Sequence, residues 1–230
     1  MKVLVSDYDR TFYLNDFDIK NNIKLVNEFR KQGNLFIIAT GRSYYDFKKK
    51  VDKYKIEYDY VLLNHGSTIL DKGENVIFNT YIKNTNIEEL KKDLNLEKSI
   101  EHFCCSKLES RLDFNYPNLS KIAIRYLPLV NISKIKENIE NKYSNINIYK
   151  VSTNMLEIIS KEINKSLAIK ILIDKLNINK SDVYTIGDGE TDIKMIKDYN
   201  GYAMKNSVSE LKEEAILEVD SVSKLIKKII

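Results

Sequence analysis

Lys2-Val3-Leu4-Val5-Ser6-Asp7-Tyr8-Asp9-Arg10-Thr11 is the stretch on which the reading of this 230-residue chain turns. Its apolar half is short, rich in β-branched residues and free of helical periodicity, so it reads as a strand buried on both faces. It stops at a polar turn that carries two carboxylates, Asp7 and Asp9, at the strand's carboxyl end. A helical pattern follows, with Ile23, Val26 and Phe29 on one face and Gly33 as its stop. Leu35-Phe36-Ile37-Ile38-Ala39 is a second buried strand and runs into Thr40-Gly41-Arg42. Tyr44, Phe47, Val51 and Tyr54 recur at helical spacing. Tyr60-Val61-Leu62-Leu63 is a third strand, ending at Asn64-His65-Gly66. Strand and helix in strict alternation predict an α/β fold, a parallel sheet with helices on both faces.

The same grammar returns near the carboxyl terminus. A helix bearing Leu167, Ala168, Ile171 and Leu172 precedes the strand Val183-Tyr184-Thr185-Ile186, which ends at Gly187-Asp188-Gly189-Glu190-Thr191-Asp192. Gly201-Tyr202-Ala203-Met204 reads as one more short strand. The last helix turns Val222, Leu225, Ile226 and Ile229 inward. Between these halves the pattern changes: short β-like runs such as Lys121-Ile122-Ala123-Ile124-Arg125-Tyr126 mix with polar helical stretches, Ile87 to Leu94 and Ile132 to Tyr143, and both prolines, Pro117 and Pro128, fall here. The expected organisation is an α/β unit of residues 1–79 and 158–230, with a smaller α+β domain of residues 80–157 inserted into it.

Composition excludes several classes. At 43% hydrophobic and 30% charged, the chain is an ordinary globular sequence that can bury a core without disulfides. No apolar run is long enough for a membrane span, and the apolar part of the amino-terminal segment is too short for a secretion signal; both point to the cytoplasm. The net charge of +4 is dispersed, which argues against nucleic acid, and Lys48-Lys49-Lys50 reads as a solvated helix face. Cys104 and Cys105 are adjacent and cannot close a useful loop, so reduced thiols are expected. With two histidines in all, His65 and His102, a Cys/His zinc site is not expected.

The polar residues worth singling out stand immediately after predicted parallel strands: Asp7 and Asp9, Thr40, Asn64, and Asp188 with Asp192. In open parallel sheets the ligand site lies at the carboxyl edge of the strands, so four segments converge on one place. Carboxylates gathered there repel one another, and a hard divalent cation such as Mg²⁺ resolves the conflict and draws in a phosphate. Thr40, the amides near Gly41 and the following helix can bind that phosphate. Lys165, which opens the helix before the Asp188 strand, is the candidate for completing the neutralisation.

These residues also resemble a known family. Asp7-Tyr8-Asp9-Arg10-Thr11 is similar to the DxDxT signature of the haloacid dehalogenase superfamily, Thr40-Gly41-Arg42 to its second motif, Lys165 to its third and Gly187-Asp188 through Asp192 to its fourth. Asn64-x-Gly66 and Leu156-Glu157-Ile158 resemble the Cof-type branch with a IIB cap, and the likeness covers nearly the whole chain. It implies a Rossmann-like core with an inserted cap, Asp7 as the nucleophile that forms an aspartyl-phosphate, and Asp9 as general acid and base. It implies Mg²⁺ held by Asp7, the backbone carbonyl of Asp9 and Asp188, with Asp192 supporting the metal or orienting Lys165, and Thr40, Gly41 and Lys165 on the phosphoryl group. The sequence departs from the family in having Arg10 where Gly is usual, Thr191 where Asn is commoner, and His65 where Asn or another polar residue is frequent. Arg10 and Asn64 are candidate substrate contacts, and Lys107, Arg111, Lys121 and Arg125 are unranked candidates in the insertion. Arg42 reads as structural. The expected activity is hydrolysis of a small phosphorylated metabolite, with sugar phosphates the leading class; a phosphomutase using the same intermediate, or a non-catalytic phospho-ligand sensor, are the alternatives.

Overall fold

The computed structural model describes all 230 residues, Met1–Ile230. The first half of the expected alternation is present as β1 (Val3–Asp7), α1 (Asp16–Lys31), β2 (Leu35–Ala39), α2 (Tyr44–Tyr54) and β3 (Tyr60–Leu63). A hairpin of β4 (Thr68–Asp71) and β5 (Val76–Asn79) then extends the same sheet in antiparallel fashion. The inserted part contains α3 (Ile87–Asp93), β6 (Ser99–Ser106), β7 (Glu109–Leu112), β8 (Lys121–Tyr126), α4 (Ile132–Lys142), β9 (Ile146–Ser152) and β10 (Met155–Ser160). The chain returns through α5 (Lys165–Leu176), β11 (Val183–Gly187), α6 (Ile193–Asp198), β12 (Asn200–Met204), α7 (Ser209–Glu214), β13 (Leu217–Val219) and α8 (Val222–Ile229).

The large sheet has the order β13-β12-β11-β1-β2-β3-β4-β5. Its six strands from β13 to β3 are parallel. The order reverses at β1, which lies between β2 and β11, so the crevice of this sheet opens at the carboxyl end of β1. Side chains alternate across the sheet. Leu4, Phe36, Ile38, Val61 and Leu63 pack with Val26, Phe29, Phe47, Leu225 and Ile226 of α1, α2 and α8. Val3, Val5, Ile37, Ala39 and Leu62 face α5, α6 and α7 through Ala168, Ile169, Leu172, Met195 and Leu211. Each large side chain buried this way contributes roughly 1.5–3 kcal/mol. All four residues expected inward on the last helix are buried. On α1, Val26 and Phe29 are buried while Ile23 is only partly so, and on α5 Leu167 points outward. The α5 stripe runs instead through Ala168, Ile169, Leu172 and Ile173, because the sheet and α6 cover the helix over a broad arc.

The second sheet has the order β7-β6-β8-β10-β9 and is antiparallel throughout. One face is closed by α3 and α4 over Ile122, Ile124, Leu156 and Ile158. The other carries Phe103, Lys121, Arg125 and Glu157 and looks toward the carboxyl edge of the large sheet. β10 pairs with β8 through Ile158 and with β9 through Ser160, so the boundary expected at 157/158 falls inside a strand of the second sheet. The apolar run after Glu157 resembles a core strand, and only its hydrogen-bonding partners assign it. Cys104 and Cys105 are free, buried thiols. No helix is long and apolar enough to cross a membrane.

Candidate active site

β1 delivers Asp7 opposite Ala39 of β2, and Ser6 opposite Ile186 of β11. The loops after these three strands therefore meet. The turn after β1 is tight: the Phe12 amide donates to the Asp7 carbonyl at 3.2 Å and the Tyr13 amide to the Tyr8 carbonyl at 2.8 Å. Arg10 adopts a left-handed φ of 63° within it. That conformation costs a side-chain-bearing residue roughly 1–2 kcal/mol and costs glycine little, which accounts for glycine being usual there. The Arg10 guanidinium lies over the site, with Nε 3.5 Å from Asp188 Oδ2.

Lys165 reaches the same point because Asn164 caps α5, accepting the Leu167 amide at 3.0 Å, and so starts the helix beside the β1 terminus. Its ammonium lies 2.6 Å from Asp7 Oδ1 and 2.6 Å from Asp192 Oδ1, and the side chain is 2% exposed. The second Asp192 oxygen accepts the amides of Asp188 and Gly189, both at 3.1 Å. Asp188 in turn accepts the Thr11 hydroxyl at 3.0 Å. A Cβ on Gly187 would stand 2.6 Å from the Asp192 carboxyl group, so glycine is required for this close approach.

Asp7, Asp188 and Asp192 each offer an oxygen within 4.8 Å of the others. Three carboxylates against the Lys165 ammonium and the more distant, exposed Arg10 guanidinium leave negative charge in excess, which a divalent cation can offset. Electrostatics follow from that imbalance. Burial pushes the Asp188 carboxyl up to about 6, helped by Asp192 and opposed by Arg10 and Thr11. Burial likewise raises Asp7 well above the usual carboxylate range, against the pull of Lys165. Lys165 is also desolvated, but Asp192 and Asp7 outweigh this and raise its pKa, so it stays charged. An all-oxygen donor set of this kind fits a hard cation. Asp192 is tied to Lys165 and to two amides; Asp7 keeps one oxygen without a partner, and Asp188 is held only by the Thr11 hydroxyl and, at 3.5 Å, by the exposed Arg10, so Asp7 and Asp188 are the more loosely held ligands.

The Asp9 carboxylate is not part of this group. Arg42 holds it in a two-point ion pair, Nε to Oδ2 at 2.8 Å and a terminal nitrogen to Oδ1 at 2.7 Å, at the cavity wall. The metal role that the family resemblance implies for Asp9 falls to its backbone carbonyl, which this ion pair leaves free. Arg42 itself, read as structural, lines the cavity with Asp9. Thr40 is buried, lies beneath Gly41 rather than among the residues that line the cavity, and accepts the Arg42 amide at 3.1 Å. It does not cap α2, a role taken by Ser43. Asn64 is fully buried below the site and does not line the cavity.

The cavity between the two sheets has a volume of about 570 Å³. Four of its 23 lining residues are hydrophobic, which suits a charged, hydroxyl-rich ligand rather than an apolar one. Of the four unranked cations in the insertion, Arg111, Lys121 and Arg125 line it and Lys107 does not. Arg111 is paired with Glu101 and Lys121 with Glu157. Arg125 has no carboxylate partner, and its guanidinium donates to the Met155 sulfur at 3.6 Å. The sequence marked Glu157 only as part of a family resemblance and gave it no role; it is buried beside Lys121 and His65. Its signal is the alternation of β10: Leu156 and Ile158 face the helices, so Glu157 must face the cavity.

Comparison with known proteins gives a consistent picture. The profile of the haloacid dehalogenase-like hydrolases matches residues 4–121 and 111–224. An uncharacterised protein of Mycoplasma capricolum is 26% identical, over 96% of this chain and 97% of its own length. The 5-amino-6-(5-phospho-D-ribitylamino)uracil phosphatase YcsE of Bacillus subtilis is 25% identical, over 94% of this chain and 88% of its own length. Among solved structures, a HAD subclass IIB sugar phosphatase superimposes with a TM-score of 0.82 over the full length of both chains at 17% identity. It shares the fold, insertion included.

Proposed function

The chain belongs to the haloacid dehalogenase-like hydrolases and is an enzyme of phosphatase type, and on that premise we propose that it is a Mg²⁺-dependent phosphatase that hydrolyses a small phosphorylated sugar or polyol through an aspartyl-phosphate on Asp7. The observation that carries this reading is the meeting of Asp7, Asp188, Asp192 and Lys165, from three separate segments, at the floor of one polar cavity. Asp7 and Asp188 would hold the cation, which when bound neutralises the carboxylates and the phosphoryl oxygens together. Lys165, the Thr40 hydroxyl and the Gly41 amide would hold the phosphoryl group. An Asp7 carboxylate oxygen would bond to phosphorus as the bond to the substrate's bridging oxygen breaks, and Asp9, having first taken up a proton from solvent, would give that oxygen its proton. Asp9 would then take a proton from the water that cleaves the acyl phosphate. For this, one of its hydrogen bonds to Arg42 must be exchanged for the substrate oxygen. The substrate class rests on the cavity's size, which is within the range for small metabolites, and on its polar lining.

A panel of phosphorylated sugars, polyols and nucleotides, assayed for free phosphate with and without Mg²⁺, tests the reading. Release that needs Mg²⁺ and favours the first two groups is expected; no release from any member would sink it. The role of Asp9 has its own test. Asp9→Asn should slow intermediate formation about tenfold or more less for an activated aryl phosphate than for an alkyl phosphate, because a good leaving group departs without a proton. Equal losses in rapid-quench measurements would remove Asp9 from the acid role.

The raised Asp188 carboxyl gives a third expectation. Between the unfolded value of about 3.9 and about 6, the folded, metal-free protein holds a proton that the unfolded chain does not. Its stability contribution is therefore present below about pH 4 and is lost as pH rises through about 6. A cation displaces that proton and relieves the repulsion. The Tm gain from Mg²⁺ should be small at pH 5 and large at pH 7, with the half-saturating Mg²⁺ concentration rising up to about tenfold per pH unit below 6. A gain that is the same from pH 5 to 7.5 would contradict this assignment.

A further inference from the structure

Three ionisable side chains that the proposed chemistry does not use are buried together where the two sheets meet. Lys121 comes from β8, Glu157 from the adjacent β10, and His65 from the loop after β3. Lys121 is 2% exposed, His65 3% and Glu157 6%. The Lys121 ammonium binds Glu157 Oε1 at 2.9 Å, and His65 Nε2 binds the other Glu157 oxygen. Burial would raise the Glu157 carboxyl, but Lys121 and His65 outweigh it and bring it down to about 2. Lys121 stays charged, because Glu157 outweighs its desolvation, while burial keeps His65 neutral. The remaining reach of Lys121 ends on the carbonyl oxygen of Gly41, at 2.5 Å.

That last contact completes a clamp on the turn after β2. The Thr40 carbonyl accepts the His65 amide and the Arg42 carbonyl the Asn64 amide, both at 3.0 Å. The Arg42 amide is held by the Thr40 hydroxyl. With all three carbonyls fixed, the Gly41 N–H is the group of this turn left without an acceptor in the protein, and Gly41 lines the cavity. A Cβ on Gly41 would stand 2.4 Å from the His65 ring and 3.0 Å from Glu157, so the cluster also packs directly on the turn. We propose that the Lys121–Glu157–His65 cluster is a positioning device by which the inserted sheet orients the Gly41 peptide for phosphate. This rests on the reading of the Gly41 amide as a phosphate donor. A buried charge cluster is a poor way to join two units by stability alone, since apolar residues of the same volume do as well or better. A cluster that ends on a cavity-lining peptide whose N–H has no acceptor in the protein has a use that apolar packing would not supply.

The test uses the ¹⁵N-labelled full chain in Mg²⁺, with inorganic phosphate as the probe and the Gly41 amide as the reporter. In the unsubstituted protein the Gly41 signal should shift saturably. Lys121→Met should weaken phosphate about tenfold or more with the half-saturating Mg²⁺ concentration unchanged, and Lys121→Arg should recover part of the affinity. Because Lys121→Met strands Glu157 in the interior, the double variant Lys121→Met/Glu157→Met is the control: it should regain thermal stability and keep the weak phosphate binding. Normal phosphate affinity in either Met variant would reduce the cluster to a structural one and overturn the proposal, while leaving the phosphatase reading intact. Phosphate that binds the unsubstituted protein without moving Gly41 would overturn it as well. No phosphate binding to the unsubstituted protein would instead remove the phosphatase reading, and this proposal with it.

Discussion

Asp7→Asn is expected to lower phosphatase turnover at least about a hundredfold, roughly 2.7 kcal/mol or more in barrier, without unfolding the protein. The amide keeps the shape of the carboxyl group but offers no nucleophilic oxygen to phosphorus. Its effect on stability has the opposite sign from an ordinary buried lesion. Asp7 is one of three mutually repelling carboxylates, and its carboxyl is raised by burial and by its neighbours. Lys165 retains Asp192 at 2.6 Å when Asp7 is neutral. In the absence of metal, the variant should therefore melt at or above the temperature of the unsubstituted protein, and no acyl phosphate should be trapped on it. Near-normal turnover in a folded sample that mass spectrometry finds free of deamidation would remove Asp7 from the chemistry.

Lys165→Met should have the largest effect on stability. Removing the ammonium leaves Asp7 and Asp192 buried and unpaired, a change that costs about 3–5 kcal/mol in comparable cases. In a chain of this length that corresponds to a fall in Tm on the order of 10 °C. Turnover should also fall at least about a hundredfold, because the cation on the phosphoryl group is gone. Mg²⁺ should recover part of the lost stability by neutralising the same carboxylates. The double variant Lys165→Met/Asp192→Asn separates the two losses, since it relieves the stranded charge and should regain stability without activity. A single variant that melts within about 2 °C of the unsubstituted protein would show that the ion pairs do not hold this corner of the fold. An active double variant would show that Lys165 takes no part in the reaction.

What was legible in the sequence was set by local rules. Buried strands announce themselves as short apolar runs, and the parallel arrangement follows from their alternation with helices, so the positions of Asp7, Thr40 and Asp188 at one sheet edge could be read directly. Lys165, the first residue of the helix that leads into β11, stood out only through the order of the motifs, since a lone lysine in a lysine-rich chain carries no local signal. The antiparallel β4–β5 hairpin and the true end of the second sheet at Ser160 were not legible. An apolar strand can pair with either sheet, and only its hydrogen-bonding partners decide.

The sequence by itself therefore determined the architecture, the sheet edge at which the acidic residues gather and the residue types found there, because strand and helix periodicity are local properties of the chain. Only the tertiary structure decided which charges meet. Arg42 lies 33 residues from the Asp9 it clamps, and His65 lies 92 residues from Glu157. It also moved Asn64 from the substrate's reach into the interior, and it turned Lys121 from one of four interchangeable cations into the residue that holds Gly41. The physical reason is that an ion pair depends on a few ångströms of separation and on the loss of water around it. Both are fixed by packing between distant segments and leave no local signature in the sequence.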